Sequence, residues 1–217
     1  MEGWNSFSYD WKRGEDGKFH SASFDRNHEV ILKEMKPLFE DVNSCLEIGS
    51  GTGEHIRLWA GHAKHVEFFP SEVGDVGQTA IRENCSDVQN IILPPLALDL
   101  VKGKDEALPK VDLVVAVNLF HVVAERAVES FAHLCLDAGA KKVAIYGPFT
   151  RHGGVFTTES NKKFHDFIRE ANSDFGLRCI DSQLVPQFEK YSFQLERITD
   201  MPNNNFFVVF ANKINNK

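Results

Sequence analysis

Leu46-Glu47-Ile48-Gly49-Ser50-Gly51-Thr52-Gly53-Glu54 decides the fold class of this chain. The apolar run over 44–49 predicts a β-strand, the alternating glycines a tight turn, and Glu54–His62 the helix that follows. Strand, glycine turn and helix in that order open a ligand-binding α/β domain, because glycines let the backbone approach a ligand with no Cβ in the way. A dinucleotide-binding loop of the form G-x-G-x-x-G needs glycine at position 54, and this chain has Glu54. Glu47 argues the same way. A carboxylate two residues ahead of the first glycine repels a pyrophosphate and attracts the ammonium of a methionine moiety.

The rhythm continues outward from that stretch. Upstream, Val30, Ile31, Met35 and Leu38 form a helical stripe over 26–39, with Ser23 or Asp25 as N-cap. Downstream, a strand over 65–69 precedes a helix over 76–85. A third strand region, 90–93 and 96–98, is interrupted by Pro94-Pro95. Residues 111–117 are almost wholly apolar, as in a strand covered on both faces of a parallel sheet. Then come a helix over 124–136, a strand over 142–146, a helix over Glu159–Ala171, a shorter helix near 181–188, and closing strands over 192–199 and 206–211. Alternating βα units closed by a hairpin predict a doubly wound α/β fold, with a mostly parallel, seven-stranded sheet and an antiparallel edge hairpin. We expect one such domain over 20–217, preceded by an N-terminal extension, 1–19. With Trp4, Phe7, Tyr9 and Trp11, that extension either packs over the site mouth or forms a mobile leader.

Ligands of open α/β sheets sit at the carboxyl ends of the strands. Glu72, about twenty residues past the loop, ends the second strand where a ribose hydroxyl pair is bound. Asp99, followed by Leu100, ends the third strand region and either accepts from an adenine amino group or caps the next turn. Asn118 ends the fourth strand, as a cleft amide or a turn former. Arg26 and Asn27 either bond a methionine carboxylate or anchor the first helix. The expected cofactor set is therefore Arg26, Asn27, Glu47, Gly49, Ser50, Gly51, Gly53, Glu72, Asp99, Leu100 and Asn118.

Composition narrows the partners. The 217 residues carry a formal charge of −7, with Lys and Arg scattered, so we expect no nucleic-acid partner. No apolar run approaches the roughly 20 residues that span a bilayer, so no membrane association is expected. Cys45, Cys85, Cys135 and Cys179 contain no CxxC pair and read as buried free thiols of a cytoplasmic protein. The pair His62 and His65 lacks companions to complete four ligands, so no metal is assigned. The sequence leaves the oligomeric state open.

The order of these strand-end groups resembles the class I S-adenosylmethionine-dependent methyltransferases. More narrowly, the chain is similar to the methyltransferase-like protein 26 family over about 21–212. The similarity rests on Ser23-Phe24-Asp25-Arg26-Asn27, the glycine stretch, Pro70-Ser71-Glu72, Pro94-Pro95-Leu96-Ala97-Leu98-Asp99 and Asn118-Leu119-Phe120-His121. It also rests on Tyr146-Gly147-Pro148-Phe149, Ser160-Asn161-Lys162-Lys163-Phe164 and Met201-Pro202-Asn203-Asn204-Asn205. The chain departs in having Glu rather than Asp at 72, in Phe24 and in the Met201-Pro202-Asn203 spelling.

The resemblance implies S-adenosylmethionine as cofactor and methyl transfer to a small-molecule or peptide-like acceptor. The alternative is a non-catalytic binding module of the same fold, working through protein partners. Methyl transfer needs positioning above all, and a base only where the nucleophile is protonated. His121 is the expected base, with a packed or helix-capping ring as the alternative, and Tyr146 is the second catalytic candidate. Arg151, His152, Asn203 and Asn204 complete the acceptor-side candidates.

Overall fold

The computed structural model describes residues 11–104 and 107–213, which fall into two units, 11–116 and 117–213. Trp4, Phe7 and Tyr9 lie outside the described residues.

In the first unit, Trp11–Arg13 (β1) and Phe19–Ser21 (β2) pair antiparallel, and Ala22–Phe39 (α1) follows at once. The helix starts four residues before the apolar stripe, since Ser21, not Ser23 or Asp25, is its N-cap. The Ser21 hydroxyl meets the Ser23 hydroxyl at 2.7 Å instead of a helical N–H. Then come Ser44–Ile48 (β3), Glu54–His62 (α2), Glu67–Ser71 (β4) and Asp75–Cys85 (α3). Leu98–Asp99 (β5), Gly103–Lys104 (β6) and Leu113–Val117 (β7) complete this half. β3 pairs in parallel with both β4 and β7. Ile31, Met35, Trp59 and Phe68 are fully buried around them.

In the second unit, Ala127–Asp137 (α4), Lys142–Thr150 (β8), Glu159–Ala171 (α5) and Arg178–Cys179 (β9) lead through a π-turn at Ile180–Leu184 into Val185–Lys190 (α6). Phe193–Met201 (β10) and Asn205–Asn212 (β11) close the chain. Phenylalanines fill this core: Phe188 stacks on Phe210 at 4.1 Å between ring centroids, and Phe131 lies beside Phe188.

Two sequence expectations are corrected. The strands are mixed in sense rather than mostly parallel. β8 pairs antiparallel with β11, β11 antiparallel with β10, and β9 parallel with β8. The closing hairpin itself is antiparallel as expected, turned at Pro202–Asn204 where Asn203 and Asn204 both take positive φ, and it is β11 beside β8 that mixes the strand senses. The third strand region is also not a continuous strand. Ile91 and Leu96 each make a single parallel bridge to β4, and Leu98–Asp99 instead joins β6 in a small antiparallel hairpin. Pro94 and Pro95 supply no N–H to a ladder.

All four cysteines are free and buried. Among the described residues no helix is long and apolar enough to cross a membrane, and no cluster of side chains is arranged to hold a metal.

Candidate functional site

The site grows from the end of β3. Gly49, Gly51 and Gly53 all take positive φ, a backbone shape that other residues adopt only with strain. Two of them are glycine for different packing reasons. A Cβ on Gly53 would lie 3.1 Å from Cys85 Sγ and 3.3 Å from Ile81 Cα, so this glycine lets α3 pack against the loop. A Cβ on Gly51 would meet the Trp11 indole at 3.3 Å.

Ser50 and Ser71 stitch the ends of β3 and β4 together. Ser50 N donates to Ser71 O at 2.8 Å, and the Ser71 hydroxyl donates to Glu47 O at 2.7 Å. The loop is thus held from its strand side, and the Glu47 side chain remains for other partners.

Glu47 is 1% exposed, and its Oε2 has no hydrogen-bond partner. Burial pushes its carboxyl up to about 8, against the counter-effect of the Ser50 hydroxyl and helped by the negative Glu72 nearby. A buried polar atom left unpaired costs about 1–3 kcal/mol, so such atoms persist where a ligand or another requirement keeps them. Asn27, on α1, presents a second such acceptor, its Oδ1 buried and unpaired.

Glu72 bridges two parts of the loop region. Its Oε2 accepts from Gly51 N at 3.0 Å and its Oε1 from Val73 N at 2.8 Å. Desolvation raises its pKa, and those backbone N–H groups oppose the rise. Its side chain fits over the start of α3 because Gly77 has no Cβ there; one would sit 2.4 Å from Glu72 Cγ. A carboxylate offers about four lone-pair positions, so acceptor capacity remains for a hydroxyl pair.

The other expected residues divide. Arg26 is exposed and makes no ion pair or hydrogen bond among the described residues, whereas Asn27 is buried. The two sit on different faces of α1. Asp99 caps its own turn, its Oδ1 accepting from Val101 N at 2.8 Å and Lys102 N at 3.1 Å. Leu100 is buried beside it.

In the second unit, Asn118 takes a positive φ of 56°, and its N–H donates to Tyr146 O at 2.8 Å. Tyr146 is buried in β8. The His121 ring packs edge-on to Phe164 at 5.4 Å between centroids, and burial, with the positive Arg178 nearby, drives its pKa down to about 4. No side chain caps α4, so the helix-capping alternative for His121 is not what the ring does. Arg151 pairs with Asp181, whose Oδ2 also accepts from His152 N at 2.6 Å. Asn203 and Asn204 form the β10–β11 turn.

Sequence reasoning passed over Glu54 and Asn84. Glu54 is the residue that displaces the third glycine, and its carboxylate does structural work of its own. It accepts from Ser21 N at 2.7 Å and from the Thr52 hydroxyl at 2.8 Å, and it meets His20 Nδ1 at 3.1 Å. Asn84 Nδ2 donates to Thr52 O and Phe19 O, and its Oδ1 accepts from Phe19 N. An acid in the first turn of a helix was the available signal. His55 was also missed. It stacks on Trp59 and is driven down to about 3, mainly by burial. A groove lined by Lys18, His20, Arg57, His62 and Asp87 lies in the same unit, but neither Glu47, Glu72 nor the loop glycines line it.

Comparison with known proteins adds the following. The family model described as "Protein of unknown function (DUF938)" matches residues 18–212. Among solved structures, the pyocyanin biosynthetic protein PhzM superposes with a TM-score of 0.65 at 16% identity, covering 85% of this chain and 55% of that one. The S-adenosylmethionine-dependent methyltransferase SibL, in its apo form, gives 0.68 at 13%, covering 88% and 55%. Human N-acetylserotonin methyltransferase in complex with SAM gives 0.59 at 12%, covering 88% and 58%. The chain thus spans a little over half the length of these proteins, and at such identities the likeness establishes a shared α/β methyltransferase fold.

Proposed function

The chain belongs to the DUF938 family, and from that premise we propose that it binds S-adenosylmethionine at the 49–53 loop and transfers the methyl group to a small-molecule or peptide-like acceptor. The observation that carries this reading is Glu47 Oε2: a buried, unpaired acceptor at the end of β3, directly ahead of a loop that offers bare backbone. A cofactor with a cationic amino-acid end satisfies such a group, while a dinucleotide pyrophosphate does not.

On this reading Glu47 and the Asn27 amide oxygen accept from the ammonium of the amino-acid end. Gly49, Ser50 and Gly51 present backbone to it, and Gly53 keeps the loop tight against α3. Glu72 uses its remaining lone pairs for the ribose hydroxyls while bracing Gly51. Asp99 and Leu100 serve the adenine, and Asn118 is retained as a further cofactor contact. Arg26, exposed and unpaired among the described residues, is available for the carboxylate. S-adenosylmethionine, when bound, supplies an electrophilic methyl group on a sulfonium.

His121 and Tyr146 remain the proposed catalytic residues. An imidazole driven down to about 4 is neutral at physiological pH, so it can accept a proton, but it is a weak base. It suits an acceptor whose proton is already acidic. The narrower similarity, to the methyltransferase-like protein 26 family, belongs to the same proposal. Two of its marks meet in space, since Asn161 Nδ2 donates to Asn204 O at 3.1 Å. A cytoplasmic location and action without nucleic-acid partners complete the reading.

The test is to incubate the purified protein with isotope-labelled methyl donor and a metabolite extract, and to search for labelled products. Label appearing in a discrete product supports the enzyme. Binding of the donor with no transferred label favours the non-catalytic module.

A further inference from the structure

Thr52 stands between Gly51 and Gly53, both at positive φ, in a turn closed by Gly53 N donating to Ser50 O at 2.8 Å. Glycine backbone has more conformational freedom than any other, so such a turn keeps one shape only where its neighbours hold it. Its first half is held at Ser50 through Ser71 and at Gly51 through Glu72. Thr52 is held by other partners. Its hydroxyl donates to Glu54 Oε2 at 2.8 Å, and its carbonyl oxygen accepts from Asn84 Nδ2 at 2.9 Å.

Both of those side chains also bond β2. The same Glu54 Oε2 accepts from Ser21 N at 2.7 Å. Asn84 Nδ2 donates to Phe19 O at 2.8 Å, and its Oδ1 accepts from Phe19 N at 3.0 Å. Thr52, Glu54 and Asn84 are all buried. Removing any of these bonds strands a buried donor or acceptor, so the place of Thr52 is tied to that of β2.

We propose that Glu54 and Asn84 are positioning residues of the cofactor loop: they fix Thr52, and with it the backbone of Gly51 and Gly53, against β2. This rests on the cofactor reading above and extends the scaffold of that site to residues 19–21. It also gives position 54 a reason. A glycine there, as in the dinucleotide-binding pattern, would leave the Thr52 hydroxyl and Ser21 N without their acceptor.

The test sets affinity for S-adenosylhomocysteine, measured by calorimetry on full chains well below their melting points, against melting temperature. Glu54→Met keeps the bulk and removes the acceptor, Thr52→Val keeps the shape and removes the donor, and Asn84→Leu frees the Thr52 carbonyl. Each should weaken binding about tenfold. Glu54→Gln can place its amide oxygen where Oε2 lies, and Thr52→Ser keeps the hydroxyl. Both should bind within about twofold of the wild type. Glu54→Met combined with Thr52→Val should bind no worse than the weaker of the two alone, because both remove one shared bond.

Variants that melt lower yet bind like the wild type overturn the proposal and leave Glu54 and Asn84 as residues of stability alone. Conservative variants that bind as poorly as the disruptive ones overturn it too, as does full additivity in the double variant. Should Glu54→Met not fold, Thr52→Val against Thr52→Ser decides the matter. A wild type that binds no S-adenosylhomocysteine brings down the cofactor reading itself, whereas a binding wild type with unaffected variants brings down only the positioning role.

Discussion

Glu72 Oε2 accepts a hydrogen bond from Gly51 N at 3.0 Å, so the acid that ends β4 also fixes the shape of the loop that follows β3. On the proposed reading, one carboxylate therefore both braces the loop and receives the ribose. Glu72→Ala should lower affinity for S-adenosylhomocysteine about ten- to a hundredfold, the loss of charge-assisted hydrogen bonds worth roughly 1.5–3 kcal/mol. It should also lower the melting temperature of the ligand-free protein, because Gly51 N and Val73 N lose their acceptor. Glu72→Gln keeps one acceptor oxygen and should fall between. Calorimetry and thermal unfolding on the same preparations check both. An Ala variant with wild-type affinity would place the ribose elsewhere.

The division of labour around Glu72 shows what the sequence could and could not disclose. Strand β3, helix α2 and the acids at Glu47 and Glu72 were readable because apolar periodicity and glycine spacing are local signals. The role of Glu54 was not. Its partner Ser21 comes from a separate stretch, and an acid in place of glycine reads only as a missing motif. The sense of the strands was misjudged for a related reason. The closing hairpin is legible in the sequence, whereas the other neighbour of β11, strand β8, follows from long-range pairing that hydrophobic pattern does not carry. The third strand failed at Pro94-Pro95, where pattern suggested a strand and missing N–H groups denied one. For Asp99 the sequence offers a ligand group or a turn cap, and its carboxylate does cap its own turn.

With Glu47 receiving the cofactor's ammonium as proposed, ligand binding should be a proton-coupled event. The Glu47 carboxyl, raised to about 8 by burial, is protonated in the ligand-free protein near neutral pH. Pairing with an ammonium requires the charged form, so binding below pH 8 should release close to one proton. Affinity should rise with pH from 6 to 8, by up to about tenfold per unit. Calorimetry in two buffers of different ionisation enthalpy measures the proton directly. Glu47→Gln should abolish both the release and most of the affinity. A wild type that binds tightly with no proton exchange would contradict the role given to Glu47.

Asn27 allows function to be separated from stability. Its buried Oδ1 has no partner, so Asn27→Leu, of similar volume, removes an unsatisfied acceptor. We expect an unchanged or higher melting temperature together with about tenfold weaker binding of S-adenosylhomocysteine. A variant that melts lower and binds normally would make Asn27 an ordinary structural residue.

Stability of the ligand-free protein should be highest near pH 6.5. Below that, His55 and His121, whose folded pKa values of about 3 and about 4 lie under the ordinary 6.5, bind protons more readily when unfolded, so stability falls as pH falls. Glu47 works in the opposite direction. Its folded value of about 8 exceeds the ordinary 4.5, so its contribution is complete below 4.5 and declines as pH rises through 8. Between 4.5 and 6.5 Glu47 offsets one of the two histidine slopes and the other leaves a net rise, whereas from 6.5 to 8 the Glu47 decline dominates. Chemical denaturation across this range should show that decline in the wild type and not in Glu47→Gln. An identical alkaline slope in the two proteins would refute the assignment.

The central claim is that the 49–53 loop with Glu47 and Glu72 receives an adenosyl cofactor with an amino-acid end. Isothermal titration of the purified full chain with S-adenosylhomocysteine and, separately, with NAD tests it most directly. The account predicts saturable binding of S-adenosylhomocysteine with one site per chain and no heat with NAD. Binding of NAD, or silence toward S-adenosylhomocysteine in a folded sample at pH 8, where Glu47 can ionise, would contradict it.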